Sequence, residues 1–61
     1  GQRFVEYLNQ QRVNKAKSLL IRHDMTMKEI IEQSGFRSYT YFFKIFKESE
    51  GLTPSEFMAK N

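Results

Sequence analysis

Residues 25–48 read MTMKEIIEQSGFRSYTYFFKIFKE, and this stretch decides the fold. Thr26 and Glu29 form a T-x-x-E capping box, which is typical of a helix that begins just after Thr26. The next residues place apolar or small side chains at positions i, i+3, i+4 and i+7 of one helical face: Met27, Ile30, Ile31 and Ser34. Gly35 then allows a turn through the left-handed conformation without steric cost. The pattern predicts a short helix that ends at a glycine turn.

A second short helix is predicted over residues 39–48, with Ser38 as its N-cap. Winding this segment at about 100° per residue separates two faces. The face predicted to be buried consists of Phe42, Ile45, Phe46 and Ser49. The face predicted to point outward consists of Thr40, Phe43, Lys44 and Lys47. Two short helices joined by a glycine turn are the outline of a helix-turn-helix, and residues 26–48 are predicted to form it.

A long amphipathic helix is predicted before this unit, over residues 4–22. Its apolar stripe consists of Phe4, Val5, Leu8, Ala16, Leu19 and Leu20. Arg12 lies inside the stripe, where a guanidinium is costly unless a carboxylate pairs with it, and Asp24 or Glu29 are the candidates. The alternative is that the Arg12 side chain extends along the edge of the stripe to water.

A last short helix is predicted over residues 54–60. Gly51 ends the helix before it, Thr53 and Glu56 form a second capping box, and Pro54 occupies the first helical position. The expected fold class is all-α: a long linker helix, a helix-turn-helix and a short C-terminal helix.

Composition excludes several classes of protein. A chain of 61 residues without cysteine has little room for a deep active site and has no disulfides or thiolate metal sites. His23 is the single histidine, which cannot make a tetrahedral metal site alone, and no nucleophile–base pair or phosphate-binding glycine loop is present. We therefore expect no catalysis, no metal and no cofactor. The absence of a long apolar run gives no reason to expect a membrane, and a cytoplasmic location is the simplest expectation.

Charge and aromatic content concentrate in one segment. The net charge is +3 with a pI near 9.5, which favours an anionic partner such as nucleic acid. Residues 33–47 contain no acid but include Arg37, Lys44 and Lys47, together with six of the nine aromatic residues. The same segment is therefore both the most basic and the most aromatic.

The two ends of the chain share a short pattern. Residues 1–7 and 51–57 both fit G-x-x-x-x-E-[YF], at an offset of 50 residues. This repeat predicts a unit of about that length whose earlier copy ends where the chain begins. We therefore expect residues 1–61 to be a fragment of a larger protein.

The sequence resembles the second half of the DNA-binding domain of the AraC/XylS family of bacterial transcription regulators. The motifs that carry the resemblance span the chain in order: Tyr7-Leu8, Arg12-Val13, Ala16, Leu19-Leu20, Glu29-Ile30, Gly35-Phe36, Tyr41-Phe42, Phe46-Lys47, Gly51, Thr53-Pro54 and Phe57. The resemblance implies that residues 4–22 are the linker helix between two helix-turn-helix units, and that residues 26–48 are the second unit. It also implies an upstream helix-turn-helix and a regulatory domain outside this chain. Ile31 and Phe43 depart from the family, which usually has alanine at the first position and a small polar residue at the second.

The outward face of the helix at 39–48 contains the candidate contacts to double-stranded DNA. Thr40, Phe43 and Lys44 are expected to face base edges in the major groove. The candidates for contacts to the DNA backbone are Arg37, Tyr39, Tyr41 and Lys47. Two alternatives stay open: Phe43 folds over the small core, and Tyr41 is half-packed with a solvated hydroxyl.

A different function class also fits the residues. Exposed Tyr39 and Phe43 fit a helical protein-interaction module that docks RNA polymerase or a partner domain. The sequence favours sequence-specific DNA binding because the basic helix follows directly after the predicted turn.

Overall fold

Four helices make up most of residues 2–60, the part of the chain that the computed structural model describes. They are α1 (Gln2–Arg22), α2 (Met27–Gln33), α3 (Tyr39–Glu50) and α4 (Pro54–Lys60). No strand occurs in this range, so the all-α prediction is confirmed. Compared with the predicted bounds, α1 starts at residue 2 instead of 4 and α3 ends at residue 50 instead of 48.

Reciprocal hydrogen bonds fix the starts of α2 and α4. At α2, the Thr26 N–H donates to Glu29 Oε1 (2.9 Å) and the Glu29 N–H donates to Thr26 Oγ1 (3.2 Å). The same pair of bonds joins Thr53 and Glu56 at α4, with lengths of 2.8 and 3.2 Å. The backbone N–H of Thr26, and next its hydroxyl, hold the pKa of Glu29 below its usual value, and Thr53 does the same to the pKa of Glu56. Both predicted capping boxes are present.

The turn between α2 and α3 has the predicted left-handed glycine. Gly35 has φ of +90°, and a Cβ at this position would stand 3.5 Å from Nε of Arg12. The turn therefore packs directly against α1. Ser38 then caps α3 by accepting the N–H of Tyr41 at 3.2 Å, and Gly51, with φ of +81°, ends that helix.

The core lies where all four helices meet, with α1 contacting each of the other three. Its buried apolar residues are Val13, Ala16, Leu19, Leu20, Ile30, Ile31, Phe36, Phe42 and Phe46. Phe42 is at the centre, because its ring centroid lies 5.1 Å from that of Phe36 and 5.8 Å from that of Phe46. The buried positions predicted on α2 are correct, except that Met27 is only half-buried.

The predicted stripe on α1 is wrong at its N-terminal end. Phe4 is 66% exposed and Val5 is 49% exposed, whereas Val13, which the stripe omitted, is fully buried. A helix of 21 residues is about 30 Å long, and the core packs against its C-terminal half. The first turns of α1 therefore extend past the rest of the described residues.

Two further expectations about side chains are corrected. Ser49 is exposed instead of buried, and its hydroxyl lies within hydrogen-bond distance of Gln10 and Glu50 near the end of α3. Of the two alternatives for Arg12, the ion pair is absent from residues 2–60, because Asp24 pairs with Arg22 and Glu29 belongs to its capping box. Arg12 is half-buried, and its guanidinium lies 5.8 Å from the ring centroid of Phe36.

His23 offers a test of backbone strain at the end of α1. Its φ is +58°, and among residues 2–60 it is the one residue other than glycine in the left-handed region. This conformation costs a residue with a Cβ about 1–2 kcal/mol. We expect His23→Gly to raise the free energy of unfolding by about 1 kcal/mol, measured by urea denaturation. His23→Ala keeps the Cβ and serves as the control. An unchanged or lower stability of the glycine variant would show that the residue is not strained.

Candidate nucleic-acid interface

The solvent-facing side of α3 brings together three polar residues that the sequence placed there. Thr40, Lys44 and Lys47 are all exposed and recur every three or four residues, so they share one side of the helix. We call these three residues the reading face. Phe42 and Phe46 are fully buried on the opposite side and hold the helix against the core. The predicted separation of α3 into two sides is therefore present, apart from Ser49 and from the half-buried positions of Ile45 and Phe43.

Within residues 2–60, no carboxylate neutralises the cations of this surface through an ion pair. Within residues 2–60 the ion pairs are Lys17–Glu50 and Arg22–Asp24, each at 3.0 Å, and neither involves the reading face. After the hydrogen bonds to Thr53, the field of Lys47 helps to lower the pKa of Glu56, so these two side chains influence each other at longer range. Exposed lysines that form no ion pair within residues 2–60 suit an anionic partner.

Phe43 lies between the reading face and the core. It is half-buried and packs on the core, with its ring centroid 5.8 Å from that of Phe42. On its other side the ring lies 4.5 Å from that of Tyr39, which is 58% exposed. Part of the Phe43 ring is thus covered by the protein itself, and its contact with a base stays a prediction.

Tyr41 borders the reading face on the side of α1. Its side chain is 39% exposed, and its ring centroid lies 6.1 Å from that of buried Phe36. Its hydroxyl oxygen accepts a hydrogen bond of 3.0 Å from Nδ2 of Asn9. Sequence reasoning missed Asn9, because its partner is 32 residues away and no local pattern marks the pair.

A shallow cleft between α2 and α3 adds a basic residue that sequence reasoning also missed. Lys28 lines this cleft together with Arg37 and Tyr39, and all three are exposed. Lys28 lies in the first turn of α2 and Arg37 in the turn before α3, so the cleft joins the two helices of the unit. The sequence did contain a signal for Lys28 as a site residue, namely a basic side chain in the first turn of the helix before the turn.

Other kinds of site find no support in the part of the chain that is described. No group of three or more His, Cys, Asp or Glu side chains there is arranged to hold a metal ion. No helix within residues 2–60 is long and apolar enough to cross a membrane.

A tight turn between two capped helices, followed by a helix with an exposed basic side, defines a helix-turn-helix domain. The family described as "Helix-turn-helix domain" matches residues 1–60 of the chain. The chain belongs to this family, of the AraC/XylS type of transcription regulators. The helix-turn-helix match and the relatives named as transcription regulators support sequence-specific DNA binding by this chain.

Curated relatives support the assignment. The chain is 42% identical over 62 residues to a transcriptional regulatory protein of Bacillus subtilis, covering 98% of this chain and 17% of the relative. It is 36% identical over 52 residues to the xylose operon regulatory protein of Haemophilus influenzae, covering 85% and 13%. It is also 36% identical over 58 residues to the TCP pilus virulence regulatory protein of Vibrio cholerae, covering 95% and 21%. The chain thus spans about a fifth or less of these relatives. No solved structure is significantly similar to it.

Proposed function

We propose that α3 enters the major groove of duplex DNA and reads its sequence with Thr40, Phe43 and Lys44. The observation that carries this proposal is the reading face on the helix that follows the turn: its residues are exposed, and its lysines form no ion pair within residues 2–60. A major groove about 12 Å wide admits an α-helix, and the second helix of a helix-turn-helix occupies it. The same geometry brings the turn and the N-terminal end of α3 close to the DNA backbone.

The three side chains suit different features of the base edges. The Lys44 ammonium is a donor that matches O6 and N7 of guanine. The Thr40 hydroxyl donates or accepts, and the uncovered edge of Phe43 suits the methyl group of thymine. The Lys44 ammonium has no protein acceptor within the described residues. It is therefore free to donate to a base, and its contribution to binding is expected to depend on which base is present.

Four residues are proposed to contact phosphates: Lys47 at the end of this face, and Arg37, Tyr39 and Tyr41 beside it. Each is exposed, and each lies in the turn or along α3. Contacts to phosphates set the register and orientation of a protein on the duplex without reading sequence. Lys28, which shares a cleft with Arg37, is added to this group by the structure.

The relatives are much longer than this chain, which supports the proposal that residues 1–61 are part of a larger regulator with an upstream helix-turn-helix and a regulatory domain. The exposed apolar side chains Phe4, Val5 and Tyr7 on α1 supply a surface for a neighbouring unit. Two linked units that read grooves about 34 Å apart gain affinity from effective concentration. We propose a binding role without catalysis, and a cytoplasmic location where bacterial DNA lies, because the relatives are named as regulators of operons and of transcription.

Mapping of backbone amide shifts by nuclear magnetic resonance tests the proposal. Addition of a short mixed-sequence duplex at low salt is expected to perturb the amides of residues 37–47. Raising the salt concentration is expected to reverse the perturbation. Lysine and arginine side chains that bind phosphates release counterions from the DNA, and this release is less favourable at high salt. The control is an uncharged polymer of the same length.

The same experiment tests the protein-docking alternative, in which a surface of the chain contacts RNA polymerase or a partner domain. Ile21 is 52% exposed at the end of α1, which gives that alternative a concrete surface. Perturbations by DNA that are confined to residues 19–22 and Phe57, or that persist unchanged at high salt, would contradict DNA binding by α3.

A further inference from the structure

The hydrogen bond between Asn9 and Tyr41 joins the linker helix to the first turn of α3. The amide Nδ2 of Asn9 donates to Tyr41 Oη at 3.0 Å, across 32 residues of sequence. Two other contacts hold Tyr41 in place: its ring packs on buried Phe36, and its backbone N–H donates to Ser38 Oγ at 3.2 Å. The position of the hydroxyl is therefore fixed by α1, by the turn and by the helix cap together.

The direction of this bond determines what the hydroxyl has left to offer. A tyrosine hydroxyl has one hydrogen to donate, and its oxygen accepts. Because Asn9 donates to the oxygen, the hydrogen of Tyr41 points elsewhere, and no acceptor for it lies within hydrogen-bond distance in residues 2–60. The side chain is 39% exposed beside the reading face. An anionic oxygen is the strongest acceptor that such a donor can meet.

We propose that Asn9 is a positioning residue for DNA binding: its amide turns the hydroxyl hydrogen of Tyr41 outward, toward a phosphate oxygen of the DNA backbone. This inference rests on the proposed function, in which Tyr41 faces the backbone. A donor chain that runs from the amide through the hydroxyl to the phosphate polarises each bond in it. Asn9 thereby affects affinity without touching DNA.

A double-mutant cycle on the 61-residue chain tests the proposal. Binding of Asn9→Ala, Tyr41→Phe and the double variant to a short mixed-sequence duplex is measured by fluorescence anisotropy. We expect Tyr41→Phe to weaken binding by about tenfold and Asn9→Ala by about threefold. The double variant is expected to bind as tightly as Tyr41→Phe alone, because the amide acts through the hydroxyl. Losses that multiply in the double variant would overturn the proposal.

Gln10→Ala is the matched control. Gln10 is the next residue on α1, and its Oε1 lies 3.4 Å from the Ser49 hydroxyl on α3, which is also 3.1 Å from Glu50 Oε2. This substitution weakens the contact between the same two helices but leaves the Tyr41 hydroxyl untouched, so we expect it to leave DNA affinity unchanged. An equal loss of affinity for Gln10→Ala and Asn9→Ala would show that only helix docking is involved, and would overturn the positioning role.

The salt dependence separates this inference from the function on which it rests. A neutral hydroxyl releases no counterion, so Tyr41→Phe is expected to lower affinity at every salt concentration without changing the slope. If the unmodified chain binds DNA and Tyr41→Phe has full affinity, the positioning role is wrong and DNA binding stands. If the unmodified chain fails to bind the duplex at any salt concentration, the proposed function itself is wrong.

Discussion

Phe42→Ala is expected to lower the free energy of unfolding by about 3–5 kcal/mol, a third or more of the total. The Phe42 side chain is fully buried and contacts the rings of Phe36, Phe43 and Phe46, with centroids 5.1 to 5.8 Å apart. Truncation of a buried phenylalanine costs about 3–5 kcal/mol, while a chain of 61 residues has a total stability of about 3–9 kcal/mol. Circular dichroism during urea denaturation measures the loss.

Phe4→Ala makes the same chemical change on the same residue type at a position that is 66% exposed. We expect this control to shift the free energy of unfolding by less than about 0.5 kcal/mol. Similar losses for the two variants would contradict the assignment of the core to the C-terminal half of α1 and the inner side of α3.

Lys44→Ala is expected to change which DNA sequence the chain prefers. A well-placed donor to a guanine edge supplies about 1–3 kcal/mol of discrimination against the wrong base, which corresponds to about 5- to 150-fold in relative affinity. Removal of that donor relaxes the preference at one base pair and leaves the others in place. Competition binding across a panel of duplexes that differ by single base pairs measures the change.

Lys47→Ala is the companion variant, because Lys47 is another lysine on the same exposed side of α3. As a phosphate contact it is expected to weaken binding to all duplexes alike and to reduce the slope of affinity against salt by about one counterion. Identical profiles for the two lysine variants across the panel would contradict the division between base contacts and backbone contacts.

The features of the fold that depend on local sequence could be predicted from it. Thr26 with Glu29 and Thr53 with Glu56 each carry, within four residues, all the donors and acceptors that start a helix. Gly35 has the left-handed backbone for which glycine is best suited. The two-sided character of α3 followed from the helical period and from the large rings of Phe42 and Phe46.

The features that depend on contacts between helices could not be predicted in the same way. Periodicity places Phe4 and Val5 on the apolar side of α1, but it carries no information about where the other helices end. The prediction that Ser49 is buried was wrong for a related reason, since α1 and α3 meet there through polar side chains such as Gln10.

Contacts between residues far apart in the sequence could not be predicted either, because they also depend on how the helices pack. Arg12 stacks on Phe36 instead of pairing with an acid, and Asn9 bonds to Tyr41 across the helix-turn-helix. Both contacts join α1 to residues more than 20 positions away, and only the packed helices bring them together.

Chemical methylation of guanine N7 tests most directly whether α3 lies in the major groove with Lys44 at a base edge. The N7 atom faces the major groove, so a duplex selected for tight binding is expected to lose methylation at the contacted guanines when the chain is bound. Lys44→Ala is expected to restore methylation at one of them while Lys47→Ala leaves the pattern unchanged. Full methylation of every guanine N7 in the bound duplex, with protection of adenine N3 in the minor groove instead, would contradict this arrangement.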